Sequence, residues 1–211
     1  MNDSAIPWSV LSDLYAFLGN SLLKPMSQTA PVGLDPAFWA ELPDFGDASV
    51  RASLDRCECV ARAFADDGVE QAVEAVSVEY TRLFIGPPSP AAAPWETFYR
   101  NEDVTVGFGE ATFQMRTLLR EAGLELANEN RQYEDHLGIE LLYLSVLCER
   151  IAQGRSVEIE RVIAFIDEHP ASWTHRLADR IAQTFPEGYC FCVVELIEKV
   201  LAWHLRALRA S

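Results

Sequence analysis

Residues 7–23 read PWSVLSDLYAFLGNSLL, and the spacing of the apolar side chains in this stretch decides the fold class. Large apolar residues recur every three or four positions, which places them on one face of a helix. This stripe consists of Trp8, Leu11, Leu14, Tyr15, Leu18 and Leu22. Pro7 stands where the first turn of a helix tolerates proline. The stretch therefore predicts an amphipathic helix.

The same spacing continues along most of the chain, and strand-like alternation is nearly absent. Glycines and prolines stand where one periodic stretch ends and the next begins, as is typical of helix ends. Asp35, followed by Pro36, is predicted to open a short helix, and Asp47 to cap a longer one. The longer helices are predicted at about 47–64, 69–84, 110–122, 134–152, 157–168, 173–185 and 189–208. We expect an all-α fold, a single compact helical domain over residues 1–211 with about nine or more helices and a hinge near 124–134.

The charge balance narrows the class of partner. The chain has 17 Lys and Arg residues and 32 Asp and Glu residues, which gives a net charge of −15. Because nucleic-acid binding depends on cationic side chains, no nucleic acid is expected, whereas the acidic field weakly favours a basic peptide. Residues 1–7 are polar and no run of ~18 apolar residues is present, so we expect no integral membrane segment and a cytoplasmic location.

Four of the five cysteines form two pairs of Cys-X-Cys spacing, Cys57 with Cys59 and Cys190 with Cys192. Thiolates are ligands for zinc and iron–sulfur clusters. Both pairs lie in predicted helices, however, where residues two apart point about 200° away from each other. We expect buried, reduced structural thiols and no cofactor.

Two regions are candidate sites, and each allows more than one interpretation. His136 and Glu140 share one face of a predicted helix, where they could bind a metal, act as a general base, form part of a binding patch or merely accompany an exposed, acidic helix start. The proline-rich segment 86–99 is a long loop of the kind that often carries function. Its aromatic residues Trp95, Phe98 and Tyr99, with Tyr80, Leu83 and Phe84 before them, predict either core or an apolar peptide groove.

Three segments stand in order along the chain: residues 79–87 (EYTRLFIGP), 93–99 (APWETFY) and 134–140 (EDHLGIE). In order and spacing they resemble the TorD/DmsD family of redox-enzyme maturation chaperones, most closely its DmsD-like branch. The resemblance covers residues 79–147, about a third of the chain. It departs from the family at Gln132 and Tyr133, where relatives usually have Glu-Pro.

The resemblance implies an all-α chaperone, not an enzyme, and a role in the cytoplasm. Such a chaperone binds the twin-arginine signal peptide of the catalytic subunit of a molybdopterin oxidoreductase, of the dimethyl sulfoxide or trimethylamine N-oxide reductase type. It thereby aids cofactor insertion and proofreading before export through the Tat pathway. Some relatives exchange domains, so a monomer or a domain-swapped dimer is compatible with the resemblance.

The family's binding positions correspond to Leu83, Phe84, Pro94, Trp95, Asp135 and His136, and the same segments add Tyr80, Tyr99 and Glu140. Asp135, with Glu134 or Glu140, is expected to meet the arginines, because guanidinium and carboxylate form two parallel hydrogen bonds. Leu83, Phe84, Pro94 and Trp95 are expected to meet the apolar stretch. The alternatives are a metal-dependent hydrolase that uses His136 and Glu140, and a helical adaptor with no signal-peptide binding.

Overall fold

A computed structural model describes residues 6–65, 68–100, 108–126 and 132–211, and over these ranges the chain is helical and contains no β-strand. The all-α prediction is confirmed. The α-helices are α1 Trp8–Leu23, α2 Pro36–Glu41, α3 Ala48–Ala65, α4 Val69–Tyr80, α5 Thr97–Arg100, α6 Glu110–Glu121, α7 Leu137–Ala152, α8 Ile159–Glu168, α9 Pro170–Ala182 and α10 Tyr189–Ala210. Short 3₁₀ turns lie at Met26–Gln28 and Val32–Leu34, and a π-helical turn lies at Thr81–Ile85.

Aspartate side chains start two of the helices, as their sequence positions predicted. Asp35 accepts a hydrogen bond from the backbone N–H of Ala37 at 2.9 Å, with Pro36 at the first position of α2. Asp47 accepts from the N–H groups of Ser49 and Val50 at the start of α3. Both caps satisfy backbone donors that a helix start otherwise leaves unpaired.

The described residues group into two compact units, each assembled from segments that are distant in sequence. Unit 1 contains Met1–Leu23, Trp95–Trp173 and His204–Ser211, and unit 2 contains Lys24–Pro94 and Thr174–Trp203. The single-domain organisation and the hinge near 124–134 stay predictions, and residues 127–131 of that hinge lie outside the described residues.

In unit 1, α1 packs along α7. The two helices approach closely at Gly19 and Gly138, where an added Cβ on either glycine would lie 2.7 Å from the carbonyl oxygen of the other. About two turns away along the same pair of helices, the Ser12 hydroxyl donates to the carbonyl of Ser145 at 3.0 Å, and the Ser145 hydroxyl donates to the carbonyl of Ser12 at 2.8 Å. The contact therefore requires small residues on both helices.

In unit 2, Glu79 is buried at the end of α4 and faces the start of α10. Its carboxylate accepts hydrogen bonds from the N–H groups of Tyr189 at 3.1 Å and Cys190 at 2.7 Å. A carboxylate at a helix N-terminus is favoured by the unpaired donors and by the helix dipole. Glu79, the first residue of the family-like segment 79–87, thus has a structural partner inside its own unit.

The burial predicted for the paired cysteines is confirmed for three of the four. Cys57, Cys190 and Cys192 are buried, whereas Cys59 is exposed, so the expectation of burial was wrong for Cys59. The hydrogen bond with Cys192, together with burial, raises the pKa of Cys57 well above its ordinary value. The raised pKa keeps the Cys57 thiol protonated.

No helix within the described ranges combines the length and the apolarity that a membrane span requires.

Candidate functional site

The first predicted binding residues lie in unit 2, where α4 passes into the π-helical turn. Tyr80 ends α4, and Leu83 and Phe84 lie in the turn. All three side chains are buried, and the rings of Tyr80 and Phe84 meet edge to face at 5.2 Å. Gly86 follows with φ +98°, a conformation that favours glycine.

The chain then folds back over this turn. The N–H of Ala92 donates to the carbonyl of Leu83 at 2.8 Å, and Ala92, Ala93 and Pro94 are buried. These contacts cover Leu83, which is 0% exposed. Within unit 2 the predicted apolar residues Leu83, Phe84 and Pro94 are core residues.

Asp135, in unit 1, connects the starts of three helices. Its Oδ2 accepts hydrogen bonds from the backbone N–H of Thr97 at 3.0 Å and from the Thr97 hydroxyl at 2.6 Å, and its Oδ1 accepts from the Thr112 hydroxyl at 2.9 Å. Its carbonyl accepts from the N–H of Glu96 at 3.0 Å. Burial raises the pKa of Asp135 above its ordinary value, and these hydrogen bonds partly offset the rise.

His136 caps α7 and contacts Trp95. Its Nδ1 accepts a hydrogen bond from the N–H of Gly138 at 3.0 Å, so the ring proton is on Nε2. Burial lowers the pKa of His136 to about 3, which keeps the imidazole neutral. The backbones of Trp95 and His136 form a β-bridge, and their rings meet nearly at right angles at 5.7 Å.

Two buried N–H donors at this contact have no acceptor in the described part of the chain, His136 Nε2 and Trp95 Nε1. Buried polar groups are nearly always hydrogen-bonded, so each such donor calls for an explanation such as a water or a ligand acceptor. A carbonyl group of a bound peptide would be a suitable acceptor.

Glu140 lies one turn into α7 in a buried network with Glu96 and His169. Glu96 accepts from Arg100 at 2.6 Å and pairs with His169 Nδ1 at 2.9 Å, while Trp173 Nε1 donates to Glu140 at 3.2 Å. Burial, together with repulsion from Glu96, raises the pKa of Glu140 well above its ordinary value. Burial alone would raise the pKa of Glu96 too, but His169 and Arg100 lower it below its ordinary value.

This network also bears on the metal interpretation. One ligand atom each from Glu96, Glu140 and His169 lies within 4.8 Å of the others, which is close enough to hold an ion. His136 is not part of this group, and its pairing with Glu140 as two metal ligands stays a prediction. The Glu96–His169 contact was missed because the two residues are 73 positions apart in sequence.

Within unit 1 the predicted residues Trp95, Tyr99, Asp135, His136 and Glu140 come together around the starts of α5 and α7. Tyr99 stacks on Trp173 at 5.1 Å and is buried. Among the five, only Trp95 is partly exposed. The interpretation as an exposed helix start, one of those left open, is wrong for Asp135 and His136, which are 0% exposed.

The accessible part of this region includes three aromatic residues that were not predicted as site residues, together with Glu134, which was expected to meet an arginine. Phe108, Phe113 and Tyr133 are large and exposed, and Glu134 binds Arg116 through two hydrogen bonds. The one signal for this surface in the sequence was Tyr133, where the chain departs from the family pattern. The ring of Tyr133 meets that of Trp95 at 6.4 Å, so the departure lies directly beside a predicted binding residue.

Comparisons with known proteins agree with this architecture. The model of a family described as nitrate reductase delta subunit matches residues 46–179, more than half of the chain. The Tat proofreading chaperone DmsD of Salmonella paratyphi A is 32% identical over 106 residues, 50% of this chain and 48% of that protein. The probable Tat proofreading chaperone DmsD of Haemophilus influenzae is 22% identical over 121 residues, 57% of this chain and 54% of that protein. The chain thus spans about half the length of these relatives.

A solved structure has a similar fold. It is that of a putative redox enzyme maturation protein from Archaeoglobus fulgidus, which matches with a TM-score of 0.52 and 21% identity, over 91% of this chain and 93% of that one. At this level of identity the similarity concerns the fold alone.

Proposed function

We propose that this chain binds the twin-arginine signal peptide of a molybdopterin oxidoreductase, because it belongs to the nitrate reductase delta subunit family, which contains the TorD/DmsD chaperones. The client is the catalytic subunit of that enzyme. The chaperone acts in the cytoplasm, without catalysis of its own, and holds the leader until the cofactor is inserted and Tat export can begin.

The observation that carries the proposal is the junction of Trp95 with His136. Trp95 is a partly exposed aromatic residue, and two buried N–H donors without an acceptor in the described residues lie at the same contact. An extended peptide supplies what this junction needs, since its carbonyl groups accept hydrogen bonds and its apolar side chains pack on the indole ring.

The carboxylates have different tasks in this proposal. Asp135 already accepts three hydrogen bonds from Thr97 and Thr112 and holds the segment after Trp95 in place. Pairing of Asp135 with an arginine, as predicted from sequence, would require those donors to be given up. Glu134 is the carboxylate of the segment 134–140 that has solvent access, so it is the first partner that an arginine meets.

Calorimetry with synthetic leaders tests the proposal directly. Each leader would be measured with its two arginines and with two lysines in their place, against wild-type protein and against Trp95→Ala. We expect wild type to prefer the arginine leader and Trp95→Ala to bind both leaders more weakly by a similar factor. The control is Val10→Ala on α1, which is also an exposed apolar residue of unit 1. Absence of binding to any twin-arginine leader would refute the function.

A second variant separates the two possible roles of Asp135. If the carboxylate only positions the Trp95 segment, Asp135→Asn weakens both leaders alike and keeps the preference for arginine. If the carboxylate pairs with an arginine, the same change removes that preference.

The metal-dependent hydrolase stays as the alternative, because Glu96, Glu140 and His169 satisfy the distances for an ion. Stoichiometric zinc, iron or manganese in the purified protein, lost on His169→Ala, would favour it. The helical adaptor is the third possibility, and capture of the mature oxidoreductase subunit without any affinity for its leader would favour that function.

A further inference from the structure

Three exposed aromatic side chains form one surface in unit 1. Phe108, Phe113 and Tyr133 are 41%, 53% and 40% exposed. The ring of Phe108 meets that of Phe113 at 5.0 Å and that of Tyr133 at 5.5 Å, and Tyr133 meets Trp95 at 6.4 Å. We name these four residues the aromatic platform. A continuous exposed apolar surface of this kind is typical of an interaction site.

An arginine of the chain itself lies on this platform. The guanidinium carbon of Arg116 is 5.7 Å from the ring centre of Phe113 and 6.0 Å from that of Phe108. Arg116 Nε and Nη2 donate to the two carboxylate oxygens of Glu134 at 2.7 and 3.1 Å. The platform and Glu134 together therefore already bind a guanidinium group.

The carboxylate of Glu134 is kept ionised by the guanidinium group that it binds. Burial would raise the pKa of Glu134, but the hydrogen bonds from Arg116 lower it below its ordinary value. A neighbouring guanidinium therefore keeps the carboxylate ionised, and another guanidinium in the same place would do the same. An ammonium group cannot reproduce the planar pair of hydrogen bonds or the stacking.

Arg116 is held loosely enough to be replaced. Its side chain is 49% exposed, and the Glu134 side chain is 17% exposed. Solvent-exposed ion pairs and exposed cation–π contacts each contribute little, so the combined hold corresponds to about a fivefold equilibrium preference. A ligand that offers an arginine and an apolar neighbour gains more, because it also covers the aromatic rings.

We propose that the aromatic platform with Glu134 is the docking site for one arginine and the adjoining apolar residues of a leader peptide. In the free protein, Arg116 occupies the position of the ligand's guanidinium and gives way when the peptide binds. This inference rests on the proposed function and deepens it, since it names the subsite and a competitor built into the chain. The excess of acidic over basic residues in the chain favours the same basic ligand.

The decisive variant is Arg116→Ala, because a competitor and an ordinary contact residue predict opposite results. Removal of a competitor tightens binding of the twin-arginine leader, by about fivefold on the estimate above, and tightens the twin-lysine leader less. An ordinary contact residue, or one that holds the fold, would weaken binding when removed. Arg161→Ala is the matched control, because Arg161 is 57% exposed, lies in the same unit and pairs with Glu121.

A double-variant cycle tests whether the effect passes through the platform. Phe113→Ala should weaken the arginine leader, and Arg116→Ala in the Phe113→Ala background should no longer tighten it by the full factor. Glu134→Gln should weaken the arginine leader more than the lysine leader. Circular dichroism and thermal unfolding of each variant establish that the fold is intact.

The outcomes separate the two proposals. If wild type binds no twin-arginine leader, the proposed function fails. If wild type binds but Arg116→Ala binds equally or more weakly, or Phe113→Ala binds normally, only the competitor and its subsite are refuted. If wild type self-associates in sedimentation experiments and Phe113→Ala does not, the platform is an interface between copies of this chain and the inference is likewise overturned.

Discussion

Truncation of Asp135 should destabilise the protein far more than expected for one of two adjacent acidic residues, Glu134 and Asp135, that would ordinarily be exposed. Its buried carboxylate joins the starts of α5, α6 and α7 through three hydrogen bonds, two at Oδ2 from Thr97 and one at Oδ1 from Thr112. Asp135→Ala leaves one backbone and two hydroxyl donors without their acceptor in a site closed to solvent.

The magnitude follows from opposing contributions. Hydrogen bonds to a charged group contribute about 1.5–3 kcal/mol each. Burial of the carboxylate opposes them, which is the reason that its pKa lies above the ordinary value. We therefore expect Asp135→Ala to lower the free energy of unfolding by about 3 kcal/mol, a large part of the roughly 5–15 kcal/mol that a domain possesses.

Asp135→Asn should cost less, about 1 kcal/mol. The amide oxygen can take the position of Oδ2 and keep both bonds from Thr97. The amide N–H then donates to the Thr112 hydroxyl, which already accepts from the N–H of Gly109 at 3.2 Å and has a second lone pair. The charge is lost, and the Thr112 O–H that donated to Oδ1 is left without its acceptor, which accounts for the remaining cost.

Urea unfolding followed by circular dichroism measures these differences, provided that the slope with denaturant is the same for all variants. Glu134→Ala is the control, since it removes the adjacent acidic residue with a partly exposed ion pair and should cost under about 1 kcal/mol. The reasoning is refuted if Asp135→Ala stays within about 1 kcal/mol of wild type, or if Glu134→Ala costs as much.

Three further outcomes are expected from the same unit. Glu140 binds its proton more tightly in the folded state, so the free energy of unfolding should fall as pH rises above about 4.5, by up to about 1.4 kcal/mol per pH unit. Glu140→Gln should remove this pH dependence in urea titrations and keep the hydrogen bond from Trp173. His136, with its pKa lowered to about 3, binds its proton more weakly when folded, so stability should fall as pH drops below about 6.5; His136→Asn, which still caps α7, should flatten that fall, and an unchanged slope would contradict the assignment. Gly138→Ala should cost about 1–3 kcal/mol in thermal unfolding, because the new methyl group would meet the Gly19 carbonyl at 2.7 Å. Full stability would show that α1 and α7 can move apart at no cost.

The sequence by itself determined the helical elements, because apolar periodicity and the glycine, proline and capping residues at helix ends are local properties. The apolar stripe of 7–23 corresponds to α1, and Asp35 and Asp47 cap the helices that follow them. Errors occurred at element ends. The predicted helix at 69–84 changes to a π-helical turn after Tyr80, and the helix predicted from 134 begins at Leu137.

Those ends shifted because tertiary hydrogen bonds overrode local preference. Residues 134–136 were predicted to be helical, but the carbonyl of Asp135 accepts from Glu96 and the backbone of His136 pairs with Trp95. Contacts across about 40 positions of the chain hold Glu134 and Asp135 in a turn and His136 in an extended conformation, and no periodicity of nearby residues encodes them.

Only the tertiary structure decided which members of the predicted site are internal and which are accessible. Asp135, His136 and Glu140 share one short segment with Glu134, and their residue types alone indicate four polar surface groups. Packing buries the first three and leaves Glu134 partly exposed, where it pairs with Arg116. The physical reason is that a side chain's burial and pKa depend on neighbours brought from other helices, whereas helix formation depends on residues a few positions away.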